Sequence, residues 1–440
     1  MCTTLLSVTG ANTVFAAEPK SVKIPDPCQS IYEEIMPMRI PDFNQAAMWK
    51  KTSGVKGIER PRAILPVVDG GQIGIGLSIP YDEKTGLAAP QIQMVRTDKN
   101  GKVIVEQWIP TKNLKTVADA ILMKDRIVVL SQLGQDKDDT IGLTFLNGAG
   151  QEKSSQVLTD PSVRLIPKSI MSIVGGTKMV IAAEAISRKN PKDSYTVLIW
   201  TDKDGKRLAQ KEYLPGVVNK PEYVGRLGDG EIVVTGRVQS EDGRDAGWVL
   251  RLSQKGDILY QRPYARGGDS VLRRAVSLGD GSMIVVGDAL PSLSGDKAAW
   301  VMRLNKEGTP VWQKYLTGGY SYSGVDVIAL ADGRLNVLMA GKPTEKGGRA
   351  YARVVTLSMD GVVIGDESFL EGSNSIPVRL IDQQGKRYLL GLAETGFSRG
   401  GTPDDLKYIT YDTWMLGLAS LPEFKNTCAG APDRTLDDLP

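Results

Sequence analysis

A chain of 440 residues with no histidine has few chemistries open to it. Ser-His-Asp and Cys-His nucleophile systems need an imidazole base, and imidazole is also the commonest transition-metal ligand. What remains is paired carboxylates, Lys or Tyr chemistry, or a metal held by oxygen. Asp98-Lys99-Asn100-Gly101 and Asp202-Lys203-Asp204-Gly205 begin like calcium loops. Neither continues to the glutamate such a loop needs at its twelfth position, so both read as hairpin turns. Gly74-Ile75-Gly76 opens no helix and therefore makes no phosphate cradle. The sequence thus assigns no catalytic residue, no metal ligand and no cofactor.

The cysteines are Cys2, Cys28 and Cys428, and none sits in a zinc-type CxxC pair. Cys28 stands just before a long repeat array and Cys428 just after it, which predicts a disulfide clasp in an exported chain. Export is expected from residues 1–17, read as the end of a secretory signal: Leu5 to Phe15 is mildly apolar, and Val14-Phe15-Ala16 or Phe15-Ala16-Ala17 precedes a small-residue cleavage site. This predicts a periplasmic or secreted location. No apolar run is long enough to span a bilayer. The net charge of +3 is spread through the chain, which argues against a nucleic-acid partner. Adjacent Arg273 and Arg274 read as a solvated strand or loop edge.

The elements that must carry any site are strands. Three copies of one unit stand out: RLGDGEIVVTGR…GWVLRLSQKGDILYQ, SLGDGSMIVVGD…AWVMRLNKEGTPVWQ and ALADGRLNVLMAG…AYARVVTLSMDGVVI. Gly228, Gly279 and Ala331 open equivalent turns 51 and 52 residues apart. Each unit holds four short apolar runs and no helical pattern, which is the signature of a β-propeller. We place seven four-stranded antiparallel blades at 62–110, 116–159, 163–216, 220–267, 269–319, 322–372 and 374–420. Ala47 to Gly54 reads like the fourth strand Pro310 to Gly318, so an N-terminal strand is expected to complete the last blade and close the ring. The propeller then spans 46–427, after a Pro-rich extension at 18–45 and before a disordered tail at 428–440. Gln29 to Met36 is expected to form a helical turn or two. Trp248, Trp300 and Trp414 are expected to pack between blades.

The run Arg303-Leu304-Asn305-Lys306-Glu307-Gly308-Thr309-Pro310-Val311-Trp312 resembles the Asp-x-x-Gly-x-x-x-Trp repeat of bacterial quinoprotein-type propellers. That family includes non-enzymatic envelope proteins. Its quinone enzymes carry a vicinal cysteine pair that this chain lacks, so their cofactor and catalytic residues are not carried over.

The resemblance and the missing histidine together predict a non-catalytic protein-binding or scaffolding propeller of the bacterial envelope, within a transport or assembly machine. A protein or peptide partner would dock on the face bearing the longer connections. Tyr320, Tyr322, Arg266 and Asp269 are the candidate contacts, since aromatic residues and Arg are enriched at interface hot spots. The alternative is a carbohydrate-active enzyme, a glycoside hydrolase or lyase, using carboxylates in the central channel. Buried acids with raised pKa in the channel lining would favour the enzyme, and an apolar or neutral funnel would favour binding.

Overall fold

The computed structural model describes residues 33–423, apart from 83, 85, 125, 135–137, 214–217, 229, 240–242, 266–267, 291–295, 345–347 and 399–407. Cys28 and Cys428 lie outside the described residues. The described chain is all-β, with one short 3-10 turn at Val174–Gly176. None of its helices is long and apolar enough to cross a membrane.

Consecutive strands pair antiparallel in sets, each strand beside its sequence neighbour. Sets run from Leu114–Met123 to Glu152–Leu158, from Val163–Ser172 to Arg207–Tyr213 and from Val218–Arg226 to Ile258–Tyr264. Two more run from Ser270–Ser277 to Pro310–Thr317 and from Tyr320–Ala329 to Val363–Phe369. Gly57–Pro66 leads a further set that ends at Val103–Pro110. Ser375–Gln383, Lys386–Ser398 and Tyr408–Leu418 take their fourth strand from the other end of the chain, where Ala47–Ser53 pairs antiparallel with Tyr408–Leu418. Single parallel bridges, Ser194 to Val218 and Ile58 to Tyr411, join neighbouring sets into larger sheets.

The first strands pack on one another in chain order, and Ser375–Gln383 also packs on Gly57–Pro66. Apolar side chains fill the space between neighbouring sheets. Phe145, Ile181 and Val197 meet in one cluster, and Val249, Val285 and Met302 in another. Trp248, Trp300 and Trp414 are buried as expected.

The turns joining third to fourth strands repeat one chemistry. Asp98 Oδ1 accepts from the Asn100 and Lys102 backbone N–H groups at 2.8 and 2.9 Å, and Asn305 Oδ1 accepts from Thr309 N–H at 2.8 Å. Gly101 and Gly361 sit at φ 80° and 78°, where a Cβ is unfavourable. Both press on a tryptophan: a Cβ at Gly101 would lie 2.3 Å from the Trp49 ring, and one at Gly361 3.1 Å from Trp312.

The expected helical turn near Met36 is instead the strand Glu33–Pro37, which runs parallel to Pro310–Thr317 on the outer edge of that sheet. The exposed edge offers unpaired backbone groups that an added strand satisfies. Glu34 also reaches Lys314 at 3.0 Å, and Met36 packs on the adjoining core.

A candidate functional site in the basic funnel

Each first strand carries a β-bulge at the same place in its register. The shifts fall at Pro61/Ala63, Val117/Asp119, Pro167/Ser169, Pro221/Tyr223, Leu272/Arg274, Gly324/Asp326 and Pro377/Arg379. A bulge inserts one unpaired residue and bends the strand. Proline fits before it because a bulge does not need its missing N–H. The inserted residues are Arg62, Ala118, Lys168, Glu222, Arg273, Val325 and Val378. All of them line a single cavity of about 720 Å³. Arg60, Arg274, Arg379 and Tyr411 also line it. Six of the lining side chains are cationic, and Glu59 and Glu222 are its acids.

The residues just behind the bulges tie neighbouring sets together. Asp119 Oδ2 accepts from Ser169 Oγ at 2.8 Å and from Ile170 N–H at 3.3 Å on the next first strand. Asp326 Oδ2 accepts from Leu380 N–H at 2.9 Å in the same manner. Burial holds both carboxyls above the usual range, against the pull of Arg274. Arg274 lies 3.8 Å from Asp326 Oδ1 and 4.3 Å from the centre of the Tyr223 ring. These two acids are therefore structural staples in the funnel wall.

Glu222 is the lone acid of the bulge positions, and its charge acts on both Arg62 and Arg273. Glu59 turns toward the seam between Gly57–Pro66 and Tyr408–Leu418. One of its oxygens accepts from Val55 N–H at 3.1 Å and from Ser78 Oγ at 3.0 Å. The other is buried without a hydrogen-bond partner. Burial, and then the charges of Asp412 and Glu106, outweigh those bonds and raise the carboxyl to about 7. A carboxyl poised near neutrality, beside a charged cavity, can exchange a proton at working pH.

Of the expected partner contacts, Tyr322 is not at the surface. Tyr322 is fully buried, its hydroxyl 2.9 Å from that of Tyr351 and taking a 2.6 Å bond from Arg353. It belongs to the strand Tyr320–Ala329, not to a surface loop, because only Gly318 and Gly319 are needed for the turn before it. Tyr320 is half-buried and packs edge-on to Tyr351. Asp269 is exposed and accepts from Asp245 N–H at 3.0 Å. Arg266 lies outside the described residues. Arg273 and Arg274, read from sequence as a solvated edge, instead line the funnel. The signal that finds them is the bulge register: aligning the units on the residue before each bulge brings positions 62, 168, 222 and 273 together.

No family model matches the chain, and no curated protein matches it. Solved structures do resemble it. A puromycin hydrolase structure matches with TM-score 0.49 and 15% identity over 76% of this chain and 50% of that one. The chain thus spans about half the length of that structure. A phage phi92 endosialidase matches with TM-score 0.45 and 10% identity over 86% of this chain and 70% of that one. A neuraminidase-like protein of A/little yellow-shouldered bat matches with TM-score 0.41 and 10% identity over 67% and 94%. The expectation of a non-catalytic scaffold is corrected by the funnel itself: an apolar or neutral lining would have favoured binding, and the lining is charged. The likeness itself is one of fold: the chain is all-β and propeller-like.

Proposed function

We propose that this chain is an exported carbohydrate-active enzyme, a glycoside hydrolase or lyase, built on a closed seven-bladed propeller with its site in the axial funnel. The observation that carries this reading is Glu222, a carboxylate on a bulge and among the arginines of a 720 Å³ cavity. Glu59 is the second carboxyl, raised to about 7. In this reading Glu222 faces the substrate in the cavity and Glu59 supplies or takes the proton. The seven bulged first strands and the pairing of Ala47–Ser53 with Tyr408–Leu418 support the closed ring. The Asp/Asn turns with a glycine on an aromatic ring support the quinoprotein-type repeat. Export, inferred from residues 1–17, goes with a Cys28–Cys428 disulfide, and non-reducing peptide mapping checks that pairing.

The test is product release from a panel of polysaccharides, read as new reducing ends for a hydrolase and as an ultraviolet-absorbing unsaturated end for a lyase. Wild type should give product, and Glu222→Gln should lose it while binding is retained. Absence of product from every polysaccharide, or full activity in Glu222→Gln, would overturn the reading.

A further inference from the structure

Two guanidinium groups in the funnel, both on Gly57–Pro66, stand outside every close ion pair of its lining. Arg273 is engaged with Asp288 at 2.6 Å. Arg379 lies 3.7 Å from Asp119 and donates to its own neighbour's carbonyl, Val378 O, at 3.2 Å. Lys168 leans toward Glu184 at 3.7 Å. Among the described residues, Arg60 and Arg62 make neither an ion pair nor a hydrogen bond, and both are exposed to the funnel. They stand two residues apart on one strand, Arg62 on its bulge, and both line the cavity. Enclosure by the funnel walls around its open mouth, and then repulsion from Arg60, push the Arg62 guanidinium below its usual range, against the pull of Asp119 and Glu222. An arginine pair crowded in this way is relieved by an incoming anion. Glu222 already offsets part of this charge, so the balance suits a single negative charge better than a doubly charged phosphate.

We infer, resting on the glycan reading above, that the substrate is an acidic carbohydrate whose carboxylate is clamped by Arg60 and Arg62. The planar fork of each guanidinium matches a carboxylate in bidentate geometry, which a lysine or a neutral group does not reproduce. The pair therefore sets which sugar enters, while the carboxyls of the funnel carry the chemistry.

Calorimetric titration of the full chain tests this, using a panel of uronic-acid oligosaccharides, their methyl esters and a sulfated oligosaccharide. The acid form should bind at least ~10-fold more tightly than its ester, and the difference should shrink as salt rises. Arg60→Gln with Arg62→Gln should remove that preference at an unchanged melting temperature, since both side chains are exposed. Arg62→Lys should keep the charge yet lose part of the affinity. Equal binding of acid and ester, no binding of either, an undiminished preference in the double variant, or tighter binding of the sulfated chain would each overturn the inference. Binding of the acid form without any product leaves the clamp standing and removes the enzyme reading. Cleavage of neutral chains alone does the reverse.

Discussion

The rim of the molecule and the wall of its funnel are made by the same repeat, yet they follow opposite rules. At the rim, the turns between third and fourth strands hardly vary: an Asp, Asn or Ser side chain closes the turn, and a glycine at positive φ follows. At the wall, the inserted bulge residue differs from unit to unit, from alanine and valine to lysine, arginine and glutamate. The rim residue must satisfy a backbone constraint that does not change from unit to unit. The bulge residue is left out of the ladder and faces the cavity, so only a ligand or a neighbouring charge constrains it. Uniform positions in this repeat hold the sheets together, and variable ones give the funnel its chemistry.

Breaking the seam should have the largest effect. Removing residues 1–54 takes away the strand paired with Tyr408–Leu418 and uncovers its apolar neighbours. Thermal melting should then show a sharply lower and less cooperative transition. A truncated chain that melts like the full one would show that the wall does not depend on this closure.

Next in size is Tyr322→Ala, which empties a fully buried site and strands the Arg353 guanidinium's hydrogen bond. Urea unfolding should show a loss of about 4 kcal/mol. A loss below about 1 kcal/mol would return this tyrosine to the surface.

The rim rule is sharpened by Gly101→Val, which forces a β-branched residue to φ 80° against the Trp49 ring. About 3 kcal/mol should be lost in the same measurement, from backbone strain and displaced packing. A neutral result would mean that the turn relaxes and that glycine there is incidental.

Glu59 connects wall and seam. Its carboxyl rises from an ordinary 4.5 to about 7 in the folded chain. The folded state therefore holds this proton more tightly than the unfolded chain, and the benefit is fully present below about pH 4.5. It is lost as pH rises toward 7, by on the order of 2–3 kcal/mol. Glu59→Gln should flatten that segment of the stability–pH curve. An identical curve in both proteins would remove Glu59 as its source.

The smallest effect on folding is expected for Arg62→Gln, where an exposed, unpaired cation is removed. Stability should change by no more than about 0.5 kcal/mol. A larger loss would show that the funnel cations brace the wall rather than await a ligand.

Much of the scaffold was legible because its signals are local. Glycine spacing marked the turns, β-branched runs marked the second strands, and the likeness of Ala47 to Gly54 to other fourth strands anticipated its pairing with the last set. Tyr322 was read onto a loop because Gly318-Gly319 signals a turn without saying where the turn stops, and this residue already lies inside the strand. The Glu33–Pro37 strand was missed because its partner, Pro310–Thr317, is far away in sequence and contributes an edge rather than a pattern.

An all-β chain of repeated strand units, the turns that punctuate them and the lack of imidazole chemistry could be read from residue type and short-range spacing alone. The site emerges only once the chain is folded. Arg62, Glu222 and Arg273 come from strands far apart in the chain, and they meet because bulges in equivalent register aim one residue from each unit at a shared cavity, where Arg60 joins them from the strand of Arg62. Which of those cations stays free was also settled there, since that depends on whether an acid such as Asp288 from a neighbouring strand lies within reach.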